Sequence, residues 1–110
     1  MEALRQPAVA GRFYPGDRTA LMEDLESYLS PAVASKPALG CIAPHAGYVY
    51  SGPVAGAVYA NIDVPQRCVV LCPNHTGRGR PLAIMSSGAW QTPLGPVQID
   101  SALANTLKEQ

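Results

Sequence analysis

The sequence predicts an α/β fold in which a sheet containing parallel strands is flanked by helices. Two short apolar runs without polar alternation, residues 38–43 and 67–72, have the composition of strands buried on both faces. An alanine-rich stretch at 53–61 lies between them and is typical of a helix, with Pro53 in its first turn and Gly56 permitting close packing on the sheet. The runs start about thirty residues apart, the length of one strand–helix–strand unit, so we expect them to lie parallel.

The segment before the first run is predicted to hold one helix. Residues 5–15 show no helical period, and we expect them to run extended over the surface. Asp17 is a suitable N-cap, and apolar side chains recur at helical spacing after it. These two signals predict an amphipathic helix over Arg18–Leu29, which Pro31 ends.

The segment after the second run is predicted to add further short elements. Residues 82–86 have the composition of a third strand, residues 88–95 form a turn-rich excursion, and residues 97–99 a short extended piece. Asp100 or Ser101 is then expected to cap a final helix whose apolar face carries leucines.

Composition excludes several classes of protein. A chain of 110 residues with 47% hydrophobic content can bury the core of one small domain, which we expect to span residues 1–110. The net charge of +0 leaves no basic stripe for nucleic-acid binding. No apolar run is long enough to cross a bilayer, no signal-peptide pattern opens the chain, and three cysteines give no disulfide framework. A cytoplasmic location is therefore expected.

Two histidines stand in equivalent loops. His45 and His75 each follow a predicted buried strand directly, after a proline and before a glycine. Ligands of open α/β sheets bind at the carboxyl ends of the strands, and neighbouring strands lie about 5 Å apart, so both imidazoles could reach one ion. The pattern favours a metal site of which these two residues form half, since a stable site needs three or four ligands.

Other interpretations of the same residues stay open. A histidine in a loop is often an ordinary surface residue or hydrogen-bonding group, and the pattern alone does not decide between that and ligation. Core packing is the favoured interpretation of Cys41, Cys68 and Cys72, since buried cysteine behaves as a small hydrophobe. Tyr48 is a candidate for a pocket-lining or proton-donating side chain, and simple packing explains it equally well.

Four motifs in order resemble the Memo family, also called the B protein of the AmmeMemoRadiSam system. They occupy residues 7–15, 43–52, 73–77 and 90–95. The resemblance implies an α/β fold related to the class III extradiol dioxygenases and a cleft in which the two motif histidines hold a metal. Members of the family are more than twice as long, and their later segments bring further cleft residues. We therefore expect residues 1–110 to be the N-terminal part of a longer Memo-like domain, with an incomplete sheet.

The resemblance and the histidine pair give two functional hypotheses. In the first, the full-length protein is a nonheme-iron oxidoreductase in which His45 and His75 bind Fe(II), or copper in its reduced state, and Tyr48 acts as a catalytic residue that orients a small-molecule substrate. In the second, it is a non-catalytic binding or signalling protein whose cleft takes a peptide or a small anionic ligand, as the link of eukaryotic relatives with receptor-kinase signalling implies. The chain alone is expected to be inactive, and its uncovered edges favour homo-oligomers or a protein partner.

Overall fold

The computed structural model describes residues 2–29 and 34–110. These residues form an α/β arrangement of three helices and a small mixed sheet, so the predicted fold class is confirmed in its coarse form. In chain order the elements are β1 (Leu4–Arg5), α1 (Arg18–Leu29), α2 (Tyr48–Ala60), β2 (Ala89–Thr92), β3 (Gly95–Gln98) and α3 (Ser101–Lys108).

The sheet has the order β1-β2-β3 and contains one parallel pair. β1 runs parallel to β2, with Arg5 opposite Trp90, and the Arg5 guanidinium lies 5.1 Å from the centre of the Trp90 ring. β2 and β3 form an antiparallel hairpin in which Thr92 is opposite Gly95. Residues 88–95 were predicted to be rich in turns, but most of them belong to this hairpin. The residues on either side of the Pro93–Leu94 turn pair with one another.

None of the apolar runs at 38–43, 67–72 and 82–86 is a strand, so the prediction of the first two as buried strands and of the third as a strand is wrong for this structure. Their side chains lie open to solvent: Leu39, Leu71 and Leu82 are each at least 90% exposed. A buried strand needs hydrogen-bonding neighbours on its edges and apolar layers on its faces. The described part of the chain supplies neither to these runs, and apolar composition alone cannot hold them in a sheet.

Local signals determined the first helix. α1 spans Arg18–Leu29 as predicted, and the Ala20 amide donates a hydrogen bond of 2.9 Å to the Asp17 carboxylate, which caps it. The predicted stop at Pro31 lies outside the described residues.

The second helix begins five residues earlier than predicted. α2 starts at Tyr48 after an N-cap at Gly47, and Pro53 lies inside it rather than in its first turn. The amides of Tyr50 and Ser51 both donate to the Gly47 carbonyl at 2.9 Å, so the first turn is closed before the proline is reached. Proline at 53 costs one helical hydrogen bond, and packing against α1 maintains the helix through it.

Two glycines bring α1 and α2 into close contact. Gly52 and Gly56 are buried and face Tyr28 of α1. A β-carbon built on Gly56 would lie 2.6 Å from the Tyr28 carbonyl carbon, well inside van der Waals contact. The absence of side chains at these two positions therefore sets how closely the helices approach.

The last helix is capped as the sequence predicts. Asp100 is the N-cap of α3, and its carboxylate accepts the Leu103 amide at 3.0 Å. The same carboxylate accepts a hydrogen bond from the Arg67 guanidinium and forms an ion pair with it. Within the described ranges no helix is long and apolar enough to cross a membrane.

Candidate metal centre

A compact turn anchors the start of α2. We call residues 9–14 the N-terminal turn: the Gly11 amide donates to the Tyr14 carbonyl at 2.7 Å, and Gly11 has a positive φ of 81° that suits glycine. The Tyr48 amide donates to the Phe13 carbonyl at 2.7 Å. This bond satisfies one of the free amides at the beginning of α2 and holds the N-terminal turn against it.

The backbone beside His45 is fixed by a buried hydroxyl. The Ala46 amide donates a hydrogen bond of 2.9 Å to the hydroxyl oxygen of Ser51, which is only 6% exposed. Ser51 lies within α2, whose N-cap is Gly47. Its role is to tie the loop that carries His45 to the helix that follows.

The loop of His75 is shaped by its preceding asparagine. The Asn74 side-chain oxygen accepts the amides of Thr76 and Gly77 at 3.1 and 2.9 Å, and its nitrogen donates to the Arg78 carbonyl at 2.7 Å. An asparagine that bonds its own following backbone closes a local turn without help from a strand. The turn that carries His75 is therefore closed locally, although residues 67–72 are not a strand.

The structure brings the two imidazoles together. The ring centroids of His45 and His75 lie 5.2 Å apart with 38° between the ring planes, and both side chains are exposed. Imidazoles that bind one ion through nitrogens at about 2.1 Å have centroids roughly 4.6–5.3 Å apart for bond angles of about 90–110°. The observed spacing fits two ligands of a single ion.

Further ligands are not gathered around this pair among residues 2–29 and 34–110. No group of three histidine, cysteine, aspartate or glutamate side chains in these ranges is placed to hold a metal ion. Cys41, Cys68 and Cys72 are free and exposed, so the interpretation of the cysteines as core residues is wrong. They lie in the apolar runs, which are not covered by other described segments.

Tyr48 occupies the junction of the N-terminal turn, α1 and α2. Its ring lies 5.4 Å from that of Tyr14 and 6.3 Å, edge to face, from that of Tyr28. Burial, and then the neighbouring Tyr14, raises the pKa of Tyr48 above its usual value. A phenol with an ordinary or a raised pKa is protonated at neutral pH, so Tyr48 suits a hydrogen-bond donor rather than a base.

A cavity of about 290 Å³ opens beside His45. We call it the seam cavity because it lies where the N-terminal turn, α1 and α2 meet. Its wall is formed mainly by apolar and aromatic side chains, with the imidazole of His45 among them. The three segments contribute residues that include Phe13, Leu25, Tyr28, Tyr48 and Ala55, and the loop before α2 contributes His45.

The sequence did not point to Ser51 or Tyr28 as parts of this region. A signal for the tyrosine contact was present, since Gly52 and Gly56 are spaced by four residues and share one helical face, where an adjacent helix can approach. Which helix packs there depends on tertiary structure, so the spacing could not name Tyr28.

Comparison with known proteins identifies the family. The Memo family, described as Memo-like protein, matches residues 5–110. A MEMO1 family protein of Methanothermobacter thermautotrophicus is 47% identical over 94% of this chain and 42% of its own length, and one of Aquifex aeolicus is 47% identical over 91% and 38%. A MEMO1 family protein of Thermococcus onnurineus is 44% identical over 94% of this chain and 38% of its own length. The chain spans about two fifths of the length of these relatives, and it belongs to the Memo family.

Proposed function

We propose that His45 and His75 are two ligands of one transition-metal ion and that the full-length protein is a metal-dependent oxidoreductase of the nonheme-iron type. The observation that carries the proposal is the 5.2 Å separation of the two imidazole rings. Hydrogen bonds shape each of the two loops: Ser51 ties the loop that carries His45, and Asn74 closes the turn that carries His75. Ligands positioned before the ion arrives lose little entropy when they bind it.

The donor set favours a transition-metal ion over magnesium or calcium. Imidazole nitrogen suits iron, copper, nickel and zinc, whereas magnesium and calcium prefer oxygen ligands. Fe(II) is the proposed ion and reduced copper the alternative. When bound, such an ion supplies electron transfer and the activation of oxygen. The remaining ligands are proposed to come from outside residues 2–29 and 34–110, because those ranges bring no third ligand to the pair.

Tyr48 is proposed to orient a small-molecule substrate. Its ring contacts Tyr14 and Tyr28 and shares the seam cavity with His45. A protonated phenol held by packing can donate a hydrogen bond to a polar group of the substrate in one fixed direction.

The test measures metal in the full-length protein purified without tags or chelators. His45→Ala and His75→Ala are each expected to lower iron or copper content by at least about tenfold, the factor that corresponds to 1.4 kcal/mol. Cys72→Ala is the matched control, because this exposed thiol lies three residues before His75 and could also bind metal. It should retain the parental content.

Unchanged metal content in both histidine variants would refute the proposal. If the protein contains no metal and still binds a peptide or a small anion, the second candidate function would be favoured instead. That candidate is a non-catalytic binding protein that uses the same cleft.

A further inference from the structure

The wall of the seam cavity carries no formal charge. Its lining includes phenylalanine, leucine, alanine, valine and tyrosine side chains, and no lysine, arginine, aspartate or glutamate contributes to it within the described ranges. Away from His45, a charged group inside the cavity would lose its hydration without gaining an ionic partner among the wall side chains, which is strongly unfavourable. The lining therefore selects a neutral molecule.

The polar side chains that line this cavity are one imidazole, one hydroxyl and the phenols of Tyr14, Tyr28, Tyr48 and Tyr59. His45 contributes its exposed imidazole, and Tyr48 contributes a phenol that is protonated at neutral pH. The Ser51 hydroxyl already accepts the Ala46 amide. An apolar pocket with a small number of polar groups is the usual form of a site for a small organic molecule.

The volume limits the size of the occupant. An apolar cavity of about 150 Å³ holds benzene, so 290 Å³ has room for one or two fused rings. The walls include the rings of Tyr28 and Tyr48, which meet edge to face at 6.3 Å. Aromatic ligands prefer such offset and edge-to-face contacts.

The cavity is held open by tight contacts at its margins. Gly52 and Gly56 fix the approach of α2 to Tyr28, and the bond from the Tyr48 amide to the Phe13 carbonyl fixes the N-terminal turn. Collapse of the cavity would require one of these contacts to move. In a pocket that is already formed, binding of the ligand loses little conformational entropy in the walls.

We propose that the seam cavity binds a compact, neutral molecule of one or two aromatic rings, with one edge directed to His45. The inference rests on the proposed function in one respect: if His45 and His75 hold a metal ion, this molecule is the substrate class that the ion meets.

The test is a titration of the full-length protein with 6-fluoroindole, followed by 19F NMR, with and without added Fe(II). Ala55 lines the cavity and Ala57 is exposed on the same helix, so Ala55→Leu and Ala57→Leu make a matched pair. Saturable binding should weaken by at least about tenfold in Ala55→Leu, because three added carbons occupy the site. Ala57→Leu should bind as the parent does.

A second measurement covers the case in which Ala55→Leu does not fold. In the unmutated protein with 13C-labelled alanine methyls, bound 6-fluoroindole should shift the Ala55 methyl signal and leave that of Ala57 in place. Absence of saturable binding, or equal effects at the two alanines, would overturn the inference.

The metal titration separates this inference from the proposed function. Normal metal uptake without indole binding overturns the ligand class alone. Indole binding at Ala55 in a protein that takes up no metal through His45 and His75 supports the cavity site and overturns the metal proposal.

Discussion

Substituting alanine for Gly56 is expected to destabilise the protein by forcing α1 and α2 apart. The new β-carbon would lie 2.6 Å from the Tyr28 carbonyl carbon and 2.8 Å from the Tyr28 β-carbon, with the carbonyl oxygen closer still. Carbon atoms in good contact stand about 3.5–4.0 Å apart, so the helices must separate by about 1 Å. The contacting atoms belong to the backbone of α1 and cannot rotate away.

Two effects of opposite sign decide the magnitude. Overpacking a well-filled contact costs about 1–3 kcal/mol. Alanine favours the helix over glycine by about 1 kcal/mol. The clash is with backbone that cannot turn aside, so it lies near the upper end of that range and outweighs the propensity. The free energy of unfolding should therefore fall by about 2 kcal/mol in a urea titration followed by circular dichroism.

Two further glycines serve as controls for this measurement. Gly52→Ala also meets Tyr28, but at the ring edge, 2.6 Å from an aromatic carbon of a side chain that can turn, so its loss should be smaller. Gly40→Ala meets nothing within 4 Å and should change stability by less than about 0.5 kcal/mol. A Gly56→Ala protein as stable as the parent, or more so, would refute this account of the helix contact.

Three other changes test separate parts of the fold. The hydrogen bond from Arg67, and then the bond from the backbone of α3, lowers the pKa of the Asp100 carboxyl. The charged carboxylate therefore stabilises the fold fully above the ordinary carboxyl pKa, and this stabilisation is lost as the pH falls through the lowered pKa of Asp100. Asp100→Asn keeps the oxygen that caps α3 but removes the charge. Its free energy of unfolding in urea should fall less between pH 7 and pH 3 than that of the parent protein, and an equal fall would contradict this role of the Asp100 charge. Both Gly88 and Gly95 have positive φ, but only a β-carbon at 88 meets backbone, that of Ala3 just before β1. Gly88→Ala should therefore lower the free energy of unfolding more than Gly95→Ala, as read by fluorescence of the single tryptophan, and equal losses would refute that contact. Leu82 is 92% exposed, so Leu82→Lys should reduce self-association in sedimentation velocity without lowering the free energy of unfolding. A large fall in the free energy of unfolding would show instead that the Leu82 side chain is covered.

The sequence predicted those elements whose signals are local. α1 follows from a cap at Asp17 and the apolar period after it, and both lie within one segment of chain. The cap of α3 at Asp100 has the same origin. Helical hydrogen bonds join residues four apart, so neighbouring residues are enough to define these elements.

Strands depend on distant partners, and there the sequence was less informative. The apolar runs at 38–43 and 67–72 have strand composition, but no described segment pairs with them or covers them. β1 is only two residues long, and its pairing with β2 spans most of the chain, which no local pattern can indicate. The start of α2 was missed because Pro53 has the composition of a first-turn residue, while the bonds to Gly47 begin the helix earlier.

The candidate site shows the same division. The matching loops of His45 and His75 could be recognised from proline, histidine and glycine in the same order, and the structure brings their rings to 5.2 Å. The two histidines were expected to meet at the ends of two paired strands, but the residues before them are not strands. The Ser51 hydroxyl and the Asn74 side chain position the loops instead. The seam cavity was not predicted, because it depends on how three separate segments meet.

The most direct test of the central claim counts the imidazoles on the bound ion. Pulsed electron paramagnetic resonance of the full-length protein loaded with Cu(II) detects the remote nitrogen of each coordinated imidazole. We expect the signal of one imidazole to be lost in His45→Ala, of one in His75→Ala, and of both in the double variant. A nitrogen signal that is the same in the parent and in all three variants would contradict the claim that these two histidines bind one metal ion.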